Sequence, residues 1–340
     1  MAVVLSGIAQ IYQEKKEYER ALGLYEESLV VGRAALGNSH SEVAMLLNRT
    51  GNFFFDQGNF AKALSTYEEG LLIEQKVLDE CHPNIIVTLT NIGEIYRQSN
   101  DLQNAVRLYL DALRLQKKCY GASSVEVAAT LNVLGLMYDS QGNTALALSF
   151  LQEALVIRRS ILGENDSDVS STLSYLATIF YRRGATSMAL QLFSESLRTR
   201  LKVHGKYHRD VSFSLYNIGL CYYNIGCYEE AIESYKQTLC IERTVLGECH
   251  KDVATTWFKL GQVHAANQDF TDALECFQAA LKIERLAGKD ADPQAVARIL
   301  NEIGIAHLAN ENCQLMMDAF VDAARVLDAV GLFQCDSLCL

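Results

Sequence analysis

Three groups of reactive side chains have identities and spacings that suggest chemistry. His208-Arg209-Asp210 is the tripeptide that opens a protein-kinase catalytic loop, where the Asp takes a proton from the substrate hydroxyl. That loop also needs a metal-binding Asn five residues after the Asp, and here the position is Leu215. The chain has no Gly-rich phosphate loop, Asp-Phe-Gly triplet or P-loop. His204 and His208 are four apart, a spacing that suits a metal on one helix face. Gly205 and a turn-like composition stand between them, so no metal site is expected. Ten cysteines (81, 119, 221, 227, 240, 249, 276, 313, 335 and 339) include no Cys-x-x-Cys pair, and no His accompanies Cys335 and Cys339. All ten read as reduced thiols in a cytoplasmic protein. No set of nucleophile, base and oxyanion donors emerges, so the chain reads as non-catalytic and without a cofactor.

The setting of the tripeptide explains it better. His40, His82, His208 and His250 recur at a period of 42 residues, each opening a stretch such as HSEVA, HRDVS or HKDVA. Other columns keep the same period. Ala9, Gly51, Gly93, Gly135, Ala177, Gly219 and Gly261 form one, with Gly304 one residue late. Ala21, Ala63, Ala105, Ala147, Ala189, Ala231 and Ala273 form another, broken by Met316. Four residues beyond lie Tyr25, Tyr67, Tyr109, Leu151, Phe193, Tyr235, Phe277 and Phe320. Apolar residues three and four apart give each segment one buried helical stripe. A small residue lets two helices approach, and the aromatic fills the space beside it. One helix pair cannot cover both its faces, so neighbours must stack. Glycines at 37, 121, 163, 205, 247 and 288 suit a left-handed position ending the second helix. The His, Ser or Asp that follows then caps the next helix. His208-Arg209-Asp210 thus reads as a turn between repeats.

The bulk composition agrees. The chain has 340 residues, of which 49% are apolar and 21% charged, with only two prolines and a net charge of −11. A strongly acidic protein is a poor partner for nucleic acid or an anionic membrane. No apolar run approaches the ~18 residues of a membrane span. The first residues, MAVVLSGIAQIYQ, lack the basic start of a secretory leader.

The spacing of Trp257, Leu260, Gly261, Ala273 and Phe277 resembles the tetratricopeptide (TPR) signature. Leu215, Ile218, Gly219, Tyr222, Ala231 and Tyr235 repeat it with Leu in the Trp slot. The longer stretches HSEVAMLLNRTGNFF, SVEVAATLNVLGLMY and ALVIRRSILGEND resemble the 42-residue repeats of kinesin light chains. The resemblance implies an all-α, right-handed superhelical solenoid of about eight helix-turn-helix repeats. They run over residues 2–39, 40–81, 82–123, 124–165, 166–207, 208–249, 250–292 and 293–330, with an apolar tail at 331–340. The first residues are expected to form helix A of a repeat, so no counterpart of the N-terminal heptad coiled coil of kinesin light chains is expected in this sequence.

The resemblance also implies that the first helix of each repeat lines a peptide-binding groove. The expected lining is Asn48, Arg49, Asn91, Arg97 and Asn132 in the earlier repeats. Tyr175, Tyr181, Arg182, Tyr216, Asn217, Tyr223 and Asn224 follow, then Lys259, Arg298 and Asn301. An Asn amide offers donor and acceptor to a peptide backbone, and Asn91 and Asn217 occupy the slot where the family uses Asn this way. The alternative is that these amides bridge helices inside the solenoid. Tyr175, Tyr181, Tyr216 and Tyr223 form a cluster suited to an aromatic or aliphatic anchor. The basic and acidic lining residues nearly balance while the whole chain is acidic, so the groove should tolerate an acidic ligand.

The expected function is therefore a scaffold or adaptor that holds a short, acidic or aromatic peptide of a protein partner. A cargo-adaptor role in a motor complex is its specific form. Self-association through the solenoid ends is the competing reading, because the chain starts within a helix and ends in the apolar GLFQCDSLCL, which otherwise folds back or precedes missing segments.

Overall fold

The computed structural model describes residues 1–288 and 291–328. The tail at 331–340, with Cys335 and Cys339, lies outside the described residues. Among those described there are sixteen α-helices and no strand. The first compact unit is Met1–Ile161 and the second begins at Leu162. The first unit holds α1 (Ala2–Glu14), α2 (Tyr18–Leu36), α3 (Ser41–Asp56), α4 (Phe60–Val77), α5 (Pro83–Gln98), α6 (Leu102–Tyr120), α7 (Val125–Ser140) and nearly all of α8 (Thr144–Leu162). The second holds α9 (Ser167–Arg182), α10 (Thr186–His204), α11 (Arg209–Ile225), α12 (Tyr228–Leu246), α13 (Lys251–Ala266), α14 (Phe270–Leu286), α15 (Pro293–Ala309) and α16 (Cys313–Asp328). Odd-numbered helices open the hairpins and even-numbered helices close them. No helix among the described residues is long and apolar enough to cross a membrane.

The periodic columns form the hairpin cores. All seven alanines from Ala21 to Ala273 are completely buried. Beside them Tyr67, Phe193, Tyr235 and Phe277 are at most 2% exposed. Close approach explains the facing small residues. A Cβ added to Gly51 would lie 2.6 Å from the Tyr67 ring, and one on Gly261 would lie 2.6 Å from the Phe277 ring. Phe320, the last member of the ring column, is 36% exposed because no described helix follows α16.

Two expectations need correction. Four of the glycines expected to end second helices do not sit in the left-handed helical region. Gly37, Gly121, Gly205 and Gly247 combine φ of 77–91° with ψ of 159–179°. That region is essentially closed to residues with a Cβ. The true left-handed positions are the turns inside the hairpins. There Gly58, Gly142, Gly184 and Gly226 share a column with Lys16, Asn100, Gln268 and Glu311, all at positive φ.

The cysteines are not all thiols. Cys81 and Cys119 form a disulfide, with Cα atoms 5.3 Å apart. They are 38 residues apart in sequence, but Cys81 precedes α5 and Cys119 lies in the last turn of α6. An antiparallel hairpin places its entry beside its exit. This pair removes the cysteine argument for a reducing compartment. Cys221 and Cys276 are buried thiols, Cys227 is half-buried, and Cys240, Cys249 and Cys313 are exposed.

Candidate functional site

His208-Arg209-Asp210 begins α11 and is not a catalytic loop. The Asp210 backbone N–H donates to His208 Nδ1 at 3.1 Å. His40, His82 and His250 accept in the same way from residues two further on. Gly205 turns the chain back, so the His204 ring stacks on that of His208 with centroids 4.1 Å apart. Asp210 Oδ2 lies 3.7 Å from His204 Nε2 and 3.6 Å from His208 Nδ1. These three groups have the types of metal ligands. The lone pair of His208 Nδ1 is, however, already committed to the helix cap.

The opening helices of successive hairpins present a shared face in each unit. In the first unit, neighbouring members are tied by polar side chains. Arg49 donates to Ser6 Oγ at 2.7 Å, and Gln13 donates to Asp56 at 2.6 Å. Asn48 is withdrawn from the face: its amide donates to Glu74 Oε1 and to Thr88 Oγ1, each at 2.8 Å. Asn132 is buried, with Arg158 Nη1 donating to its Oδ1 at 3.5 Å. Asn91 makes a long contact of 3.4 Å to Asn52. Arg97 is forked onto Glu94, which holds the carboxyl below its usual range. Asn48 and Asn132 thus make hydrogen bonds between helices of the stack.

In the second unit the face is more open. Tyr175 is 39% exposed, and Arg182, Asn224, Arg298 and Asn301 are also at the surface. Asn224 donates to the Tyr181 hydroxyl at 2.9 Å, tying α11 to α9. Tyr216 turns its ring edge-on to Tyr235, and Tyr223 lies beside Tyr228. The tyrosines therefore divide between packing and surface. Asn217 donates to its own helix at Phe213 O, 2.7 Å away.

Two cavities open between consecutive opening helices. One of about 280 Å³, between α11 and α13, is lined by Arg209, Phe213, Tyr216, Asn217, Asp252, Thr255 and Thr256, with Glu242 of α12. The other, about 130 Å³ between α13 and α15, is lined by Thr255, Phe258, Lys259 and Arg298, with Glu284 of α14. The charges separate. In the first cavity Glu242 stands with Asp252, and Asp252 is paired with Arg209 at 3.3 Å. In the second, Lys259 and Arg298 are neighbours, and burial, followed by Arg298, lowers the Lys259 pKa despite Glu302. Lys259 donates to Gln262 at 2.9 Å, and Gln262 donates to Glu302 at 2.8 Å.

Glu242 had no place in the expected lining. Burial pushes its carboxyl up to about 7 against the opposing Thr256 hydrogen bond. Its repeat position is held elsewhere by Glu74, Gln116, Arg158 and Arg200. A long polar residue recurring in an otherwise apolar helix stripe was the available signal.

A family model described as tetratricopeptide repeat matches residues 1–76, 42–118, 84–160, 126–202 and 168–242, and a second of the same description matches 254–286. The chain is a tetratricopeptide repeat protein. Solved structures of similar fold include BtubC (BKLC) from P. vanneervenii, at TM-score 0.59 and 20% identity over 72% of this TPR chain and 95% of that one. A protein of nearly identical TPR-like repeats from Podosopora anserina, assigned as a kinesin light chain, gives 0.53 and 19% identity over 60% and 97%. The apo form of RapI gives 0.63 and 15% over 97% and 98%. No curated protein matches this TPR sequence.

Proposed function

We propose that this TPR protein is a non-catalytic interaction scaffold that docks an extended segment of a partner protein along the opening helices of its second unit. The observation that supports this reading is the pair of adjacent cavities between α11, α13 and α15, which share Thr255. Aromatic walls at Phe213, Tyr216 and Phe258 supply contact area at low conformational cost. Lys259 and Arg298 supply the site for an acidic side chain or C-terminal carboxylate. A cargo-adaptor role of the kinesin light chain kind is the narrower proposal, drawn from the 42-residue repeat type.

The test is selection from a display library of natural peptide segments on the purified chain, repeated with Lys259→Glu/Arg298→Glu and with Asn217→Ala. The reading expects a short enriched motif that the double charge reversal abolishes. Absence of any enriched motif, or motifs indifferent to every change, would overturn it.

A second reading, self-association, has its own observation. Val4, Ile8 and Ile11 on α1 and Leu315, Met317 and Val321 on α16 are exposed apolar residues. Mass that rises with concentration in sedimentation, and that falls to the monomer in Ile11→Glu, would support it.

A further inference from the structure

Glu242 and Glu74 occupy the same repeat position and differ in how their carboxylates are satisfied. Glu74 is completely buried. Its Oε1 accepts from Asn48 and its Oε2 from Thr88, both at 2.8 Å. Glu242 is 7% exposed, and its Oε2 accepts from Thr256, again at 2.8 Å. Among the described residues, no side chain or backbone N–H donates to its Oε1. The repeat explains why: the position of Asn48 is taken by Tyr216, whose ring packs on Tyr235 and gives Glu242 no hydrogen bond.

Burying most of a carboxylate is costly, and Thr256 offsets that cost at one oxygen only. Glu242 lines the 280 Å³ cavity, so the missing donor has room to come from outside. Asp252 pairs with Arg209, and beside Glu242 the repulsion of Asp252 outweighs the attraction of Arg209. Phe213, 47% exposed, and Tyr216 supply aromatic walls.

We infer that this cavity receives a Lys or Arg side chain of the docked partner segment, its cationic head donating to Glu242 Oε1. The stem lies along Tyr216 and Phe213, whose ring already holds the Arg200 guanidinium 5.4 Å from its centroid, and the two rings cover its methylenes. The inference rests on the docking reading above and adds to it the charge order of the ligand. A basic residue enters between α11 and α13, and an acidic one meets Lys259 and Arg298 between α13 and α15. The expectation of an acidic ligand then holds for the second cavity only.

The experiment is selection of random dodecapeptides on the full chain, followed by binding titrations of a selected peptide and of its version with each Lys or Arg replaced by norleucine. Wild-type chain should select Lys- or Arg-containing peptides, and norleucine should weaken them about tenfold or more, as expected for a charge-assisted hydrogen bond. Glu242→Gln should bind both versions alike. Tyr216→Asn, which supplies the internal donor that Glu74 has, should also lose the preference for the basic residue, and it serves if Glu242→Gln does not fold. Peptides that bind without any basic residue, or a norleucine effect unchanged in both variants, would overturn the inference and leave the docking surface standing. No selected peptide at all would overturn the docking reading and this inference with it.

Discussion

The hydroxyl of Thr256 donates to the carboxylate of Glu242 at 2.8 Å, joining the closing helix of one hairpin to the opening helix of the next. Thr88 and Glu74 form the same bond in the first unit. At the corresponding place in the α10–α11 pair the polarity reverses, and Arg200 Nη1 donates to Ser214 Oγ at 2.8 Å. Polar links of this kind fix how consecutive hairpins stack while the alanine and ring columns fix each hairpin.

Glu242 makes stability depend on pH. Its folded carboxyl titrates at about 7, above the roughly 4.3 of an unfolded Glu. The folded state therefore holds a proton that the unfolded state has lost, and stability falls as pH rises from about 4.3 through 7. Asp252 on α13 and Tyr216 and Arg209 on α11 are the other titratable or charged groups around it. Thermal melts at pH 5, 6, 7 and 8 should show wild type losing stability relative to Glu242→Gln across that range. Parallel melting curves for the two proteins would contradict the assignment.

Tyr235 carries a buried hydroxyl with no hydrogen-bond partner among the described residues. Elsewhere in its column Tyr25 donates to Gln13 and Tyr67 donates to Asn52, while Phe193 and Phe277 dispense with the group. Tyr235→Phe should stabilise the chain by about 1 kcal/mol, the penalty of an unmade buried hydrogen bond. Chemical denaturation reads this directly, and a destabilised variant would show that the hydroxyl is satisfied in solution.

Gln268 holds a left-handed turn at φ 66° that Gly226 holds in the preceding hairpin. The left-handed conformation costs a residue with a Cβ about 1–2 kcal/mol, partly offset by the entropy glycine loses on folding. Gln268→Gly should raise stability by about 0.5 kcal/mol or more in the same assay. A loss on substitution would mean that the Gln side chain makes a contribution beyond its turn.

The disulfide closes a loop of nearly forty residues around α5 and α6. Removing it through Cys81→Ser should lower stability by about 3 kcal/mol. Reductant should lower wild type by a similar amount and leave the variant unchanged. Equal stability with and without reductant would show that the bond does not form in solution.

Much of this architecture is legible in the sequence because each repeat spells the same contacts. Ala63 and Tyr67 announce their hairpin core, and His40 announces a cap, by recurring every 42 residues. Single-copy features are harder to see. Cys81 and Cys119 share no motif, and only the hairpin geometry makes them neighbours. Lys16, Asn100, Gln268 and Glu311 hide the left-handed column because half its members are not glycine. Asn48 reads as a groove residue in the sequence because nothing in its own helix reveals its bond to Glu74. Glu242 is hidden in the sequence for a related reason: its chemistry depends on Tyr216 replacing an Asn in another helix. Such a difference emerges only when repeats are compared in three dimensions.

The central claim is that a partner segment lies on the opening helices of the second unit. Hydrogen exchange of the full chain, with and without a selected peptide at saturation, tests it most directly. The account predicts added protection in α11 and α13, extending into α15, with α12 and α14 little changed. Protection confined to α12 and α14, or to α1 and α16, would contradict it.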